Sequence, residues 1–109
     1  MTKHDDSFHL EGIKEHVIAL KSYLPDSKEA FLADEKTQDA VLMRLLALGE
    51  EIAHLSDSFS AQYPELHWYK IIGLRNRIAH GYFEVDQDVI WNVLTDGSLD
   101  ELAELVDKV

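Results

Sequence analysis

The chain contains no cysteine, only two prolines and five glycines, and no apolar run close to the ~20 residues of a membrane-spanning helix. The absence of cysteine excludes a disulfide framework, a thiolate metal site and a cysteine nucleophile. The N-terminus also lacks the basic-then-apolar order of a secretory signal peptide, so we expect a cytoplasmic protein. At 109 residues with 46% apolar content, the chain is long enough and apolar enough for one domain over residues 1–109.

The net charge of −11 argues against binding to nucleic acid, because surfaces that bind phosphate are normally basic. The charge is unevenly distributed along the chain. Residues 1–65 and residues 81–109 each carry −7, whereas residues 66–80 carry +3 and contain no acidic side chain. We call residues 66–80 the basic segment, and we expect contact with an anionic substrate to be confined to it.

Apolar residues in the first half of the chain recur at intervals of three and four, which is the spacing of one helix face. This pattern predicts a first helix that ends before Pro25 and a second that runs from about Asp34 to about Ser60. Residues 26–37 between them are polar, and we expect a connector with at most one short turn.

The second half of the chain predicts three further helices. The third begins at residues 65–66 and weakens at Gly81, and the fourth follows an N-cap at Asp86. Ser98 with Glu101 three residues later is a capping-box pattern for the last helix. No segment alternates apolar and polar residues as a strand does, so the predicted fold class is all-α. We predict an up-and-down bundle of four main helices with a broken or extra C-terminal helix, and a homodimer that hides one apolar face.

One dense polar cluster lies near the end of the third helix: Arg75-Asn76-Arg77-Ile78-Ala79-His80-Gly81-Tyr82. Asn76 and His80 are four residues apart and share a helix face, whereas Arg75 and His80 lie about 140° apart on an ideal helix. These two converge only if Arg75 reaches round the helix or the backbone leaves the helix at Gly81. A structural interpretation is also open, since surface arginines are usually solvated and a C-terminal histidine can cap carbonyls.

The residue types in this cluster suit cleavage of RNA without a metal ion. Histidine transfers protons near neutral pH, and arginine binds phosphate through a planar fork. A base removes the proton of a 2′-hydroxyl, that oxygen attacks the adjacent phosphate, and a cation stabilises the developing charge.

The cluster resembles the R-x4-H signature of HEPN domains, and Tyr82 extends it to the R-x4-H-x-Y pattern of the HepT branch. Residues 34–40, the Gly49-Glu50 pair and residues 82–91 also resemble segments of HepT-type proteins. The resemblance covers roughly residues 8–109.

This resemblance implies a helical bundle that dimerises, with the motifs of two protomers near a shared cleft. It also implies a ribonuclease toxin of a toxin–antitoxin pair, neutralised when MntA, a minimal nucleotidyltransferase, transfers AMP to the motif tyrosine. Carried over by position, Arg75 and His80 are the catalytic pair, Asn76 is the supporting polar residue and Tyr82 is the AMP acceptor. We expect Arg77 to contact RNA phosphate, and we expect no cofactor.

Two other interpretations stay open at this point. Glu51 and His54 form the E-x-x-H pair used in di-iron bundles, but the chain contains no second such pair, so a polar helix face is expected and no metal site. The acidic chain could also be a non-catalytic adapter that presents a substrate to a separate nucleotidyltransferase, because its charge suits a basic protein partner.

Overall fold

The computed structural model describes residues 6–66 and 68–109, and within them it contains α-helices and two short 3-10 turns but no strand. The helices are α1 (Asp6–Tyr23), α2 (Lys28–Leu32), α3 (Glu35–Ala53), α4 (Asp57–Ala61), α5 (Trp68–Gly81), α6 (Gln87–Thr95) and α7 (Ser98–Lys108). The turns are Pro64–Leu66 and Tyr82–Glu84. The prediction of an all-α bundle is confirmed, with α1, α3, α5 and the broken α6–α7 pair as its main elements.

The central helix is α3, which packs against α1 on one side and against α5 on another. Such a helix must be apolar on more than one face, and the buried residues of α3 include adjacent pairs as well as helical repeats. Burying a leucine or isoleucine side chain contributes roughly 1.5–3 kcal/mol, so this shared core holds α5 firmly in place. The buried residues of α3 are Val41, Leu42, Leu45, Leu48, Gly49 and Ile52.

The predicted single helix from Asp34 to Ser60 was wrong, because the structure divides it into α3 and α4. The main chain leaves the helix at His54, and Ser56 then caps α4 by accepting a hydrogen bond from the Phe59 amide. Ser56 is itself held by α1, since its N–H and Oγ donate to the Asp6 carboxylate at 2.8 and 2.7 Å. The apolar spacing continues across this break because Leu55 and Phe59 still face the core.

The connector between the first two predicted helices contains α2, whose Phe31 is completely buried. Ser27 caps this short helix by accepting from the Ala30 amide at 3.1 Å. A connector with one short turn is therefore what forms, and Phe31 makes it part of the core.

The last two helices are capped in different ways: α6 by an aspartate side chain, and α7 by a glycine in the left-handed conformation. Asp86 accepts from the Asp88 amide at 2.9 Å, which confirms the predicted N-cap of α6. The capping box at Ser98 was wrong, because Gly97 takes the cap position with a left-handed φ of 95°. The Asp96 carboxylate instead accepts from the Ser98 amide at 2.9 Å.

The start of α5 is at Trp68, after a 3-10 turn, so the predicted start at residues 65–66 was two to three residues early. Residues 1–5, on which the signal-peptide prediction rests, and residue 67 lie outside the described residues. No helix within residues 6–66 and 68–109 has both the length and the apolar character needed to cross a bilayer.

Candidate active site

Helix α5 buries Ile71, Leu74 and Ile78 in the core and carries the polar cluster on the rest of its surface. Successive residues turn by about 100° around the axis, so a helix fixed by its apolar stripe also fixes the direction of every other side chain. Asn76 and His80 are exposed, as expected for two residues one turn apart on the face away from the core.

Arg75 lies on the side of α5 that faces α3. Its Nη1 donates to Glu50 Oε1 at 3.0 Å, and the two side chains are 24% and 50% exposed. The neighbouring Gly49 permits this close approach, because a Cβ there would lie 2.4 Å from the Cβ of Arg75. The Arg75 Nε is buried and has no hydrogen-bond partner within the described residues. Arg75 is therefore held in place by α3 and keeps one donor unused.

His80 lies on the opposite side of the helix and lines a cavity of about 360 Å³. We call it the His80 cavity, and its lining is Leu74, Arg77, His80, Gly81, Glu84, Val85, Asp86 and Val89. In the part of the chain that the structure describes, Arg77, His80 and Glu84 have no ion pair or side-chain hydrogen bond. His80 is thus open to an incoming ligand, with a cation beside it.

Tyr82 lines a second and larger cavity, because α5 ends at Gly81 and the chain continues as a 3-10 turn. This second cavity has a volume of about 810 Å³, and we call it the Tyr82 groove. Its lining is Leu32, Ala33, Glu35, Gln38, Asp39, Leu42, Met43, Leu46, Ile78, Ala79, Tyr82, Phe83 and Gln87. Tyr82 is 53% exposed, and its ring lies against Phe83 with centroids 4.1 Å apart.

The structure therefore brings together Arg77 and His80, which line one cavity. Arg75 does not line that cavity, and Tyr82 lies in the groove. Within this chain, the arginine, the histidine and the tyrosine of the motif face three different surroundings.

Glu51 and His54 make separate contacts. Glu51 Oε1 accepts from His9 Nδ1 at 3.4 Å, whereas His54 Nδ1 donates to the Glu50 carbonyl at 2.7 Å. Within residues 6–66 and 68–109, no three His, Asp or Glu side chains gather in the way a metal ion requires.

The sequence interpretation gave no role in the site to Glu50, Glu84 or Asp86. The sequence indicates Glu50 only as a member of the Gly49-Glu50 pair. The contact of this pair with Arg75 depends on the packing of α3 on α5, which the sequence does not show directly. Glu84 lies four residues after His80, but the helix ends between them, so helical spacing carries no signal for it. Asp86 was identified as a helix cap, and a cap residue gives no indication of which cavity it lines.

Comparisons with known proteins agree on one family. The family described as ribonuclease HepT-like matches residues 13–109 of the chain. The probable ribonuclease HepT of Thermococcus cleftensis is 32% identical over 89 residues, which cover 81% of this chain and 81% of that protein. A candidate RNase of Methanocaldococcus jannaschii is 29% identical over 106 residues, which cover 96% of this chain and 88% of that protein. No solved structure matches the chain significantly.

Proposed function

The chain belongs to the HepT-like ribonuclease family, and on this premise we propose that it is a metal-independent endoribonuclease toxin in which Arg75 and His80 carry the chemistry. The observation that supports this most is the state of His80, which is exposed, unpaired within the described residues and next to Arg77 in a cavity. A histidine buried in a structural hydrogen bond could not exchange protons with a substrate so readily.

In the proposed reaction, neutral His80 accepts the proton of an RNA 2′-hydroxyl. The 2′-oxygen then attacks the adjacent phosphorus, the bond from phosphorus to the 5′-oxygen breaks, and the leaving oxygen takes up a proton from water. His80 afterwards releases its own proton to the solvent. The products are a 2′,3′-cyclic phosphate and a 5′-hydroxyl. Arg75 stabilises the negative charge that develops on the phosphate, and Asn76 and Arg77 help to hold the RNA.

A homodimer is part of this proposal, because Arg75 and His80 of one protomer do not line the same cavity. The Tyr82 groove supplies a surface for it: Met43 is 65% exposed and Phe83 is 87% exposed at its edge. A large exposed apolar patch favours association, and a two-fold axis beside α5 would bring the motifs of two protomers to one cleft. Phe83→Glu is expected to give a monomer in sedimentation analysis and to lose cleavage activity.

Neutralisation by AMP transfer is the regulatory part of the proposal. The Tyr82 side chain is half exposed and lies two residues from His80, so a partner enzyme can reach it. In the transfer, the Tyr82 hydroxyl gives up its proton to the solvent, its oxygen attacks the α-phosphate of ATP, and pyrophosphate leaves. The attached AMP adds bulk and negative charge next to the motif. After incubation with an MntA-type nucleotidyltransferase and ATP, the intact mass should rise by one or more AMP units, and Tyr82→Phe should remove this increase.

Expression of the chain tests the central proposal. The wild type should arrest growth and the purified protein should cleave RNA in EDTA, whereas His80→Ala should do neither. His54→Ala is the matched control, because it removes an exposed histidine outside the His80 cavity. A His80→Ala variant as toxic as the wild type, or cleavage that requires added metal, would contradict the proposal.

The acidic surface favours a second candidate function, that of a non-catalytic adapter. Helix α7 exposes Asp100, Glu101, Glu104 and Asp107, a surface that suits a basic protein partner better than RNA. An adapter should keep its partner and its biological effect in Arg75→Ala, provided that the variant is folded. A ribonuclease should lose its activity in the same variant.

A further inference from the structure

The His80 cavity has a lining divided by charge. Arg77 and His80 come from α5, whereas Glu84 and Asp86 come from the chain that follows it. Leu74, Val85 and Val89 supply the apolar surface of the cavity. The volume of about 360 Å³ falls within the roughly 300–1,000 Å³ of pockets that hold small ligands.

Among the residues that the structure describes, the charged groups of this cavity form no ion pair with one another. Lys14, Lys21, Lys28 and Lys70 each form an ion pair with an aspartate elsewhere on the surface. By contrast, within the described ranges Arg77 and Glu84 have no ion pair although they line one cavity. Asp86 uses Oδ1 to cap α6, which leaves Oδ2 for another donor. The lining therefore keeps a cation and two carboxylates available to a ligand.

Carboxylates exclude one part of an RNA and attract another. They repel phosphate, so the backbone does not enter between Glu84 and Asp86. Because an ionised carboxylate can only accept hydrogen bonds, it selects a base that presents N–H donors. Adenine, cytosine and guanine carry an exocyclic amine, whereas uracil does not. Guanine fits best, because its N1–H and N2–H₂ are adjacent donors that match the two oxygens of one carboxylate.

We propose that the His80 cavity is the subsite for the base of the nucleotide whose 2′-hydroxyl His80 deprotonates, and that it selects guanine through Glu84 with support from Asp86. This inference rests on the proposed ribonuclease function and adds the base preference of the cut. The apolar lining covers the faces of the base, as in proteins that read single-stranded RNA on its Watson–Crick edges. Arg77, at the same opening, contacts the phosphate that stays outside.

Binding of mononucleotides tests the subsite independently of catalysis. Titration calorimetry of the full chain with guanosine 3′-monophosphate and uridine 3′-monophosphate should show at least about tenfold tighter binding of the guanosine nucleotide. Glu84→Gln should lower this ratio to near one, because the amide replaces one acceptor by a donor. Glu104→Gln is the matched control, since it makes the same change on the exposed surface of α7 and should leave the ratio unchanged.

Cleavage provides the second measurement. Oligouridine substrates with one internal guanosine, adenosine or cytidine should be cut mainly after the guanosine. Replacing that guanosine by inosine, which lacks the 2-amino group, should remove most of the preference. The ratio of kcat/KM between two substrates is independent of the fraction of enzyme that is folded, so a loss of stability in Glu84→Gln does not imitate the expected result.

The outcomes separate the two proposals. Cleavage with equal kcat/KM after all four bases, or a preference that Glu84→Gln leaves intact, would overturn the subsite and leave the ribonuclease standing. Selective binding of guanosine 3′-monophosphate without cleavage of any RNA would support guanine selection by the cavity, but it would contradict the proposed activity and with it the role of the cavity in cleavage. Equal binding of the two nucleotides without cleavage would overturn both.

Discussion

Arg75 and His80 lie on the same helix, but Arg75 is on a side of α5 that packs against α3, whereas His80 is on a side that lines an open cavity. On the packed side (Gly49, Glu50 and Arg75), α3 comes so close that a Cβ at Gly49 would overlap the arginine stem, and Glu50 binds the guanidinium at 3.0 Å. On the open side (Arg77, His80 and Glu84), the described residues leave every ionisable group without an ion pair.

This difference suits the two proposed roles. A cation that stabilises a transition state works best when it is already fixed, since no reorganisation is needed during the reaction. A general base must reach its substrate and must exchange protons with the surroundings. One helix can supply both because one side is packed by α3 and the other is left to the substrate.

Gly49→Ala should have the largest effect on stability and cleavage, because it disrupts the packing of α3 against the packed side of α5. The added methyl group would lie 2.4 Å from Arg75 Cβ and 2.7 Å from Cγ. Such overpacking costs about 1–3 kcal/mol, and α5 or the arginine must shift to relieve it. We expect a lower free energy of unfolding in urea together with a loss of RNA cleavage.

Gly73→Ala is the matched control for that substitution. Gly73 also lies within a helix, but among the described residues no atom outside its own stretch of helix lies within 4 Å of the position of its Cβ. Alanine should therefore stabilise α5 by about 0.5–1 kcal/mol through its higher helix propensity. Equal changes of stability in the two variants would contradict the close approach of α3 and α5 at Gly49.

Arg75→Ala and His80→Ala separate catalysis from stability. Both should abolish cleavage, but Arg75→Ala should also cost about 1 kcal/mol of unfolding free energy, because its stem packs on α3. His80→Ala should change the stability by less than about 0.5 kcal/mol, since the imidazole is exposed and unpaired in the described part of the chain. Unfolding curves and cleavage rates measured on the same samples test this difference between the two variants. A large loss of stability in His80→Ala would contradict the conclusion that the His80 side chain is not part of the packing.

The sequence predicted the packed side of α5 only in outline. The buried residues Ile71, Leu74 and Ile78 are spaced by three and four along the sequence, and the outward direction of His80 follows from that face. The contact of Arg75 with Glu50 could not be predicted, because it depends on the distance between two helix axes, which local spacing does not contain.

The open side was less predictable, and for a physical reason. The helical pattern cannot show whether the chain continues past Gly81, and the 3-10 turn that follows moves Tyr82 into the groove. The break between α3 and α4 was missed for a similar reason. It is fixed by Asp6, 50 residues away from Ser56 in the sequence, while the local apolar period continues.

Glu50→Gln tests whether the packed side orients Arg75 as well as supporting the fold. The amide keeps the shape of the side chain but loses the charge, so the guanidinium is held less firmly. We expect kcat to fall by about three- to tenfold with a smaller change in KM, and the stability to change by less than about 1 kcal/mol because the pair is half exposed. Glu104→Gln is the control, and equal kcat values in the two variants would show that Glu50 does not position the arginine.

Asp96→Asn should have the smallest effect on stability and cleavage. It breaks an exposed contact at the start of α5, away from both the packed side and the open side of that helix. Lys70 Nζ donates to Asp96 Oδ2 at 2.8 Å. Partial burial raises the pKa of Asp96, but the hydrogen bonds from Lys70 and Ser98 outweigh it and lower the pKa below its ordinary value. The hydrogen bond to Asp96 in turn raises the pKa of Lys70.

These directions fix the pH dependence of that variant. A carboxylate with a lowered pKa in the folded state stabilises the protein above the unfolded pKa of about 3.9, and this contribution is lost as the pH falls through the folded value. The raised pKa of Lys70 sets the alkaline limit. The stabilisation by the Lys70–Asp96 pair is present below the unfolded lysine pKa of about 10.4, and it is lost as the pH rises through the higher pKa of Lys70 in the folded state. Asp96→Asn should therefore lower the unfolding free energy by less than about 1 kcal/mol at neutral pH, and the difference from wild type should vanish in acid. Urea unfolding of both proteins at neutral and acidic pH measures this difference; if it stayed the same in acid, the ionised Asp96 would not be its source.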